Sequence, residues 1–231
     1  MTAPLLAALR AELRRVADPG RAAAMQAYMK SSMPFLGVGA APMRAACRRV
    51  FSGVELRSAS SWRGAVRSLW RGARYREERY GAIELAGDRR ARPFRNLDAL
   101  GLYEEMVVTG AWWDFVDAIA THRLREMLVL FPRPMRREML DWSRSPDLWK
   151  RRSSILCQIG LRDSTDLDLL YRAIEPSLSS PEFFLRKAIG WALREYAWTD
   201  PKEVVRYVRA HEQELSSLSR REALKNAAGK A

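Results

Sequence analysis

The residues best suited to chemistry in this sequence begin with a carboxylate beside an indole. Trp113 and Asp117 are four residues apart, so on a helix their side chains meet on one face. The core stripe predicted for the same helix is Trp112, Phe115, Val116 and Ile119. A large aromatic ring outside such a stripe is costly to leave exposed without a partner. Trp113 and Asp117 therefore indicate a ligand-binding position whose carboxylate can stabilise positive charge.

A second tryptophan and an arginine occupy comparable positions farther along the chain. Trp191 lies away from its own helix's apolar stripe of Leu185, Ile189, Ala192, Leu193 and Tyr196. Arg152 interrupts the stripe of Leu148, Ile155, Leu156 and Ile159. Trp113, Arg152 and Trp191 follow one another at intervals of 39 residues, and a period near 40 is typical of HEAT-type helical repeats. Equivalent positions of successive repeats form a row, so the three residues are predicted to share a site.

The net charge indicates a polyanionic partner. The chain has 40 Lys+Arg against 27 Asp+Glu, a net charge of +13, and a pI of about 10.4. Such an excess is typical of proteins that bind DNA, RNA or an anionic membrane. One basic ridge, Arg63, Arg67 and Arg71, is equally compatible with a solvated face and with a phosphate track.

Several kinds of chemistry are disfavoured by the composition. His122 and His211 lie in separate segments and no cysteine pair has ligand spacing, so we expect no metal site and no cofactor. No serine-nucleophile elbow is present. Cys47 and Cys157 cannot form a disulfide framework, which fits a reducing compartment. Without a signal-peptide pattern or a run of about 18 apolar residues, we expect a soluble intracellular protein that does not bind membranes.

The coarse pattern is helical throughout. Helical periodicity and capping residues recur along the chain, alternating strand patterns are scarce, and no change of composition marks a boundary. The sequence therefore predicts one all-α domain over residues 1–231. The candidate residues fall on helices predicted at about 111–122, 147–161 and 181–198. The other tryptophans predicted to be core are Trp62, Trp70, Trp142 and Trp149.

Three segments resemble the AlkD-like bacterial DNA glycosylases, a family of HEAT-like repeat alkylpurine DNA glycosylases. They are Trp-Trp-Asp-x-Val-Asp at 112–117, Trp-x-x-Arg at 149–152 and Phe-Phe-x-x-Lys-Ala-Ile-Gly-Trp-x-Leu-Arg-Glu-Tyr at 183–196. Segments 28–30, 35–37 and 218–223 support the resemblance. It covers nearly the whole chain and is weakest over the arginine-rich residues 52–95.

The resemblance implies a HEAT-like solenoid that holds duplex DNA on a concave basic face. It implies catalytic roles for Trp113, Asp117 and Trp191, and it assigns Arg152 to the DNA backbone. The further DNA-binding candidates are Lys187, Arg194, Phe183, Phe184, Tyr28 and Lys30. The implied activity is monofunctional hydrolysis of the N-glycosidic bond of N3- or N7-alkylated purines, such as 3-methyladenine and 7-methylguanine. We expect a monomer in the bacterial cytosol or nucleoid, without an obligate protein partner.

Two other classes of protein remain as alternatives. A non-catalytic HEAT scaffold that binds nucleic acid or protein explains the charge and the repeats, but not an aspartate beside a tryptophan away from the core. An RNA-binding repeat protein would carry stacking aromatic residues on many repeats rather than two. Among enzymes, the sequence does not distinguish a general repair glycosylase from one that protects a producer against its own alkylating compound.

Overall fold

The computed structural model describes residues 2–227, and over this range the chain is helical with no β-strand. The predicted all-α fold class is confirmed. The chain folds as two compact units, Met1–Leu102 and Tyr103–Ala231. The single domain expected from the sequence stays a prediction, and each unit is described separately. Within the described range, no helix combines the length and the apolar character needed to cross a bilayer.

The first unit contains five α-helices around a small core. They are α1 (Thr2–Arg15), α2 (Pro19–Met29), α3 (Ala40–Ser52), α4 (Ala59–Gly72) and α5 (Arg76–Ala86). Helix α1 packs on α3, α4 and α5. Leu9, Trp62 and Trp70 are buried, and the Trp62 indole N–H donates to the Leu85 carbonyl oxygen at 3.1 Å. Short 3₁₀ segments, Arg89–Phe94 and Leu97–Ala99, follow α5.

The connection between α2 and α3 is held by a buried carboxylate. The backbone N–H groups of Leu36 and Val38 donate to Glu77 of α5 at 3.0 and 3.1 Å. Gly37 has φ of 80°, and a Cβ there would overlap the Asp18 backbone carbonyl. Packing thus explains this Phe-Leu-Gly segment, because a side chain at position 37 has neither the space nor an unstrained backbone.

The second unit continues the helical pattern. Its α-helices are α6 (Leu100–Gly110), which begins just before the unit boundary, α7 (Trp113–Ala118), α8 (Arg125–Leu130), α9 (Pro132–Ser143), α10 (Leu148–Leu156), α11 (Leu167–Ile174), α12 (Phe183–Tyr196), α13 (Pro201–Ala210) and α14 (Ser217–Ala223). Helices pack on the next helix in the sequence or on the next but one: α8 on α9, α9 on α10 and α11, α10 on α12, and α12 on α14. Such local packing is typical of helical-repeat proteins.

One boundary differs from the sequence expectation. The sequence predicts two helices, at 111–122 and 124–131, but the chain joins α7 to α8 through a π-helical segment, Ile119–Leu124. No proline or glycine lies there to end the helix, and Ile119, Ala120 and Leu124 are fully buried. The wider turn is found frequently near functional sites, and here it begins two residues after Asp117.

Buried side chains confirm the core assignments. Trp62, Trp70, Trp142 and Trp149 are all buried, as predicted. Cys47 and Cys157 are buried too, and burial raises the pKa of each thiol to about 12. Both therefore remain neutral thiols at physiological pH and are poor nucleophiles. On α4 the predicted basic ridge has Arg63 and Arg67 half-buried and Arg71 exposed.

Candidate functional site

The first residues of the candidate site lie at the start of α7. Ala111 has φ of 43° and Trp112 is extended, so the chain turns sharply after α6 before entering α7 at Trp113. Phe115 and Val116 point into the core and are fully buried. Trp113 and Asp117 lie one turn apart and are both half-buried. Phe115 and Val116 thus lie in the core as predicted, whereas Trp112, predicted in the same core stripe, is only half-buried.

A buried ion pair joins α7 to α10. Asp147 caps the N-terminus of α10 by accepting from the Trp149 and Lys150 backbone N–H groups. One turn later the Arg152 guanidinium meets the Asp117 carboxylate in a two-point contact, with Nε to Oδ1 at 2.7 Å and Nη2 to Oδ2 at 2.8 Å. The Arg152 side chain is 5% exposed and that of Asp117 15% exposed. Two parallel hydrogen bonds fix the plane and direction of the carboxylate.

Arg152 also contacts α12. Its Nη1 donates to the backbone carbonyl oxygen of Phe184, and its guanidinium carbon lies 5.9 Å from the centre of the Phe184 ring. One guanidinium therefore connects three helices, α7, α10 and α12. The 39-residue spacing predicts that Trp113 and Arg152 lie near each other, but it does not indicate that the arginine's partner is Asp117.

The Phe184 ring beside this arginine belongs to an aromatic cluster. Trp112, Trp149 and Phe184 contact one another, with ring centres 5.1 to 6.1 Å apart. Phe183 packs edge-on against Phe184 at 5.4 Å and is exposed on its other side. Trp112, expected in the core stripe, instead belongs to this half-buried cluster. Aromatic rings at such distances pack favourably, and the cluster reaches the ion pair through Phe184, the ring beside the Arg152 guanidinium.

The environment of Asp117 disfavours its ionised form. Burial raises the pKa of Asp117 above the ordinary value of 3.8, while the hydrogen bonds and charge of Arg152 act in the opposite direction. Burial has the larger effect, so the carboxylate is less stable here than in water. A second positive charge brought close to Asp117 would therefore be strongly attracted.

A second buried carboxylate, Glu222, lies against Gly190, the residue that precedes Trp191 on α12. Gly190 permits α14 to approach α12 closely, since a Cβ there would lie 2.5 Å from Glu222 Cβ and 3.1 Å from the Ser219 carbonyl oxygen. Glu222 is 7% exposed. Its Oε1 contacts Lys225 Nζ at 2.7 Å and Lys187 Nζ at 3.3 Å.

The third cation at Glu222 is Arg194, which pairs with Oε2. Lys225, ahead of Lys187, holds the pKa of Glu222 down to about 2, well below its ordinary range. Lys187 and Arg194 are four residues before and three after Trp191, so both lie on its side of α12. Glu222 is not among the residues predicted from the sequence. The available signal was Gly190, a glycine inside an otherwise strong helix.

The predicted site residues thus fall into separate groups. Asp117, Arg152 and Phe184 are in direct contact, and Phe183 joins them through Phe184. Lys187 and Arg194 meet at Glu222 and not at Arg152. Within residues 2–227 neither the Trp113 ring nor the Trp191 ring has an aromatic or cationic stacking partner, and both are half-buried.

The remaining candidates, Tyr28 and Lys30, belong to the first unit. Tyr28 is 77% exposed near the end of α2. Lys30, also exposed, is the left-handed residue that ends this helix, with φ of 48°. In the described part of the chain, no three His, Cys, Asp or Glu side chains are grouped so as to bind a metal ion.

Comparison with known proteins assigns the chain to a family. A sequence model of the DNA alkylation repair enzyme family matches residues 9–227, so this chain belongs to that family. Among solved structures, it resembles a protein from Enterococcus faecalis described as a predicted DNA alkylation repair enzyme. The two are 29% identical with a TM-score of 0.83, over 93% of this chain and 98% of that one. No curated protein sequence matches the chain.

Proposed function

We propose that this protein is a monofunctional DNA glycosylase that hydrolyses the N-glycosidic bond of cationic N3- and N7-alkylpurines in duplex DNA. The observation that carries the proposal is the buried Asp117 carboxylate, oriented by Arg152 and one turn from Trp113. Membership in the DNA alkylation repair enzyme family supports alkylated DNA as the substrate. The lesions expected are 3-methyladenine, 7-methylguanine and bulkier adducts of the same atoms.

One carboxylate is sufficient for this reaction. Most glycosidases need a second group that protonates the leaving group. A 3- or 7-alkylpurine is already positively charged, so the electron pair of the broken bond leaves it neutral. Positive charge then develops on the deoxyribose, where Asp117 stabilises it and positions the water that attacks C1′. Because burial destabilises the isolated carboxylate, this attraction is stronger than it would be in water.

Trp113 and Trp191 form the aromatic part of the proposed site. Their rings have no stacking partner among residues 2–227, and both are half-buried. Indole faces attract cations by about 0.5–2 kcal/mol, so they would stabilise the sugar cation together with Asp117. Such a site acts on the sugar and does not select the base by the size or shape of a binding pocket. The base would remain in or near the stack, which tolerates bulky adducts.

The structure changes the role we propose for Arg152. The resemblance places this arginine on the DNA backbone, but here it is 5% exposed and its guanidinium binds Asp117 and the Phe184 carbonyl. We propose that Arg152 orients the catalytic carboxylate. The more exposed Lys187 and Arg194 would bind phosphates, with Phe183, Phe184, Tyr28 and Lys30 as further DNA contacts.

The proposal also specifies the partners. Duplex DNA that carries alkylated purines is the substrate, and the protein acts as a monomer in the bacterial cytosol or nucleoid. It needs no cofactor, membrane or obligate protein partner.

The decisive experiment is single-turnover incubation with a duplex that carries one 7-methylguanine. We expect release of the free base and an abasic site that is not further cleaved. Asp117→Asn should abolish most of the release, whereas Asp141→Asn, at an exposed carboxylate on α9, is the matched control and should retain it. Tight DNA binding without base release by the parent protein would instead support the non-catalytic scaffold.

A further inference from the structure

A second surface of the Tyr103–Ala231 unit combines exposed apolar side chains with arginines. It is formed by α8, α9, α11 and the turn that follows α10, and α8, α9 and α11 carry none of the candidate site residues. Val129, near the end of α8, is 61% exposed, and the adjacent Leu130 is exposed as well. Neighbouring exposed apolar residues beside a groove indicate an interaction surface.

Val129 opens onto an apolar groove with a volume of about 330 Å³. Its apolar walls are Leu128, Pro132, Leu161 and Leu169, and its uncharged polar groups are Gln158 and Ser164. Asp166 also lines the groove, where its carboxylate pairs with Arg136. The groove lies where the end of α8 and the start of α9 face the start of α11. It is wide enough for one or two large apolar side chains of a ligand.

The groove continues along α9 into a second depression of about 420 Å³. Arg133 and Arg136 line both, so the two form one continuous surface. The other charged residues around the second depression are Arg137, Asp141, Arg144 and Arg172. Within the described range five arginines thus face one carboxylate across this depression.

Part of this positive charge is already neutralised. Arg136 pairs with Asp166 at 3.0 Å and with Asp168, and Arg172 lies 3.5 Å from Asp168. Arg133 and Arg137 are exposed and have no ion pair within residues 2–227. The depression therefore retains guanidinium groups that can each bind a carboxylate by two parallel hydrogen bonds.

The dimensions fit a short extended peptide. Helix α9 has 12 residues, so it is about 18 Å long, which corresponds to five or six residues of extended chain at about 3.3 Å each. Duplex DNA would satisfy the arginines but has no aliphatic side chain to fill the apolar groove. An acidic peptide with large apolar residues at one end satisfies both parts.

We propose that this surface, from Val129 to Arg144, binds an extended acidic segment of a partner protein. The apolar end of the segment enters the groove beside Val129, and its carboxylates bind Arg133 and Arg137. Binding there leaves the surface around Asp117 and Trp191 to the substrate, because no candidate site residue lines either depression. The surface would recruit the protein to a partner without taking part in the chemistry.

The test is fluorescence anisotropy of the full chain with two fluorescein-labelled hexapeptides, Phe-Leu-Glu-Asp-Glu-Asp and its reverse, Asp-Glu-Asp-Glu-Leu-Phe. We expect one of them to bind in the micromolar range, more weakly at high salt, and at least about 10-fold more tightly than Phe-Leu-Gln-Asn-Gln-Asn. The double variant Arg133→Glu/Arg137→Glu and the single variant Val129→Glu should each weaken binding at least about 10-fold. Arg209→Glu, an exposed charge reversal on α13, is the control and should not. Circular dichroism establishes that each variant is folded.

A parallel titration with undamaged duplex DNA separates the two kinds of anionic partner. If the arginine variant loses DNA affinity as much as peptide affinity while Val129→Glu changes neither, the surface is a nucleic-acid contact and the proposal is wrong. Failure of both acidic peptides to bind, or equal binding of the Gln/Asn peptide, would also overturn it. The result does not depend on whether the protein excises bases.

Discussion

Two buried carboxylates in the same unit differ in how far their charge is neutralised. Asp117 has one cationic partner, Arg152, and burial nevertheless raises its pKa. Glu222 contacts three cations, Lys187, Arg194 and Lys225, and its pKa is lowered to about 2. The two carboxylates thus have pKa shifts of opposite direction, and the one with more cationic contacts is the one whose pKa is lowered.

This difference assigns distinct tasks to the two groups. The ionised form of Glu222 is stabilised by the fold, so it holds α14 against α12 and keeps Lys187 and Arg194 beside Trp191. The ionised form of Asp117 is disfavoured, and an additional positive charge, such as one developing on a sugar, would stabilise it. Perturbed carboxylates of the second kind are frequent in active sites.

The largest expected effect follows from removing the charge of Asp117. Asp117→Asn should lower single-turnover excision of 7-methylguanine by about 10²–10³ while retaining most of the DNA affinity. The substitution also leaves the buried Arg152 guanidinium without its counter-charge, so the urea midpoint should fall as well. Glu222→Gln should lower the urea midpoint too, but it should affect the excision rate much less than Asp117→Asn does. Excision by Asp117→Asn at the parental rate would disprove the mechanism.

The next largest effect concerns the packing that supports Glu222. Gly190→Ala would place a methyl group 2.5 Å from Glu222 Cβ and 3.1 Å from the Ser219 carbonyl oxygen. Separating α12 from α14 should cost about 1–3 kcal/mol in the free energy of unfolding, measured with urea. Gly64→Ala on α4, where a Cβ meets nothing within 4 Å, is the control and should be neutral or stabilising. Equal stability of the two variants would show that the close approach is not needed.

A smaller effect is expected at the aromatic part of the site. Trp191→Ala should reduce both the excision rate and the affinity for DNA, since in the proposed site the indole would contact the substrate before and during bond cleavage. The loss expected from a cation–π contact is about 0.5–2 kcal/mol. Trp198→Ala, at an exposed tryptophan beyond the end of α12, is the matched control. Similar losses in both variants would remove Trp191 from the site.

The smallest effects are expected in the pH dependence of excision and of stability. The pKa of Asp117 is raised and that of Glu222 is lowered, so the two carboxylates should act in different pH ranges. Asp117 must be ionised to act, and its pKa is raised, so excision should begin to fall on the acid side above the ordinary value of 3.8. Arg152→Gln should move this limb to still higher pH, since it removes the cation that favours the carboxylate. An unchanged limb would show that Arg152 does not act through Asp117.

Glu222 should affect the stability of the folded protein and not the rate of base excision. Its folded-state pKa is lowered from 4.5 to about 2, so its contribution to stability is complete above about 4.5 and is lost as the pH falls toward 2. Urea midpoints measured across this range should therefore fall more steeply for the parent protein than for Glu222→Gln. Parallel curves would show that the ion pairs at Glu222 contribute nothing to folding.

Periodicity in the sequence is sufficient to predict the helical class and the helix face on which most side chains lie. Apolar periodicity placed Trp62, Trp70 and Trp142 in the core and left Trp113 and Trp191 outside it. Such predictions succeed because the helical period fixes which residues share a face, whatever that face later contacts. There are two local exceptions. Trp112 was predicted in the core but is half-buried, and the helix boundary predicted after Asp117 is instead a π-helical segment.

Which charged groups form ion pairs depends on how the helices pack, and this is visible only in the tertiary structure. Arg152 and Asp117 are 35 residues apart in sequence, as Lys187 and Glu222 are, and periodicity contains no information about partners at such separations. The 39-residue spacing indicated that Arg152 and Trp113 lie in a row, but the choice between phosphate and Asp117 as the arginine's partner depends on how α10 packs on α7. That packing also sets the burial of Asp117, and burial, through the cost of removing a charge from water, fixes the direction of its pKa shift.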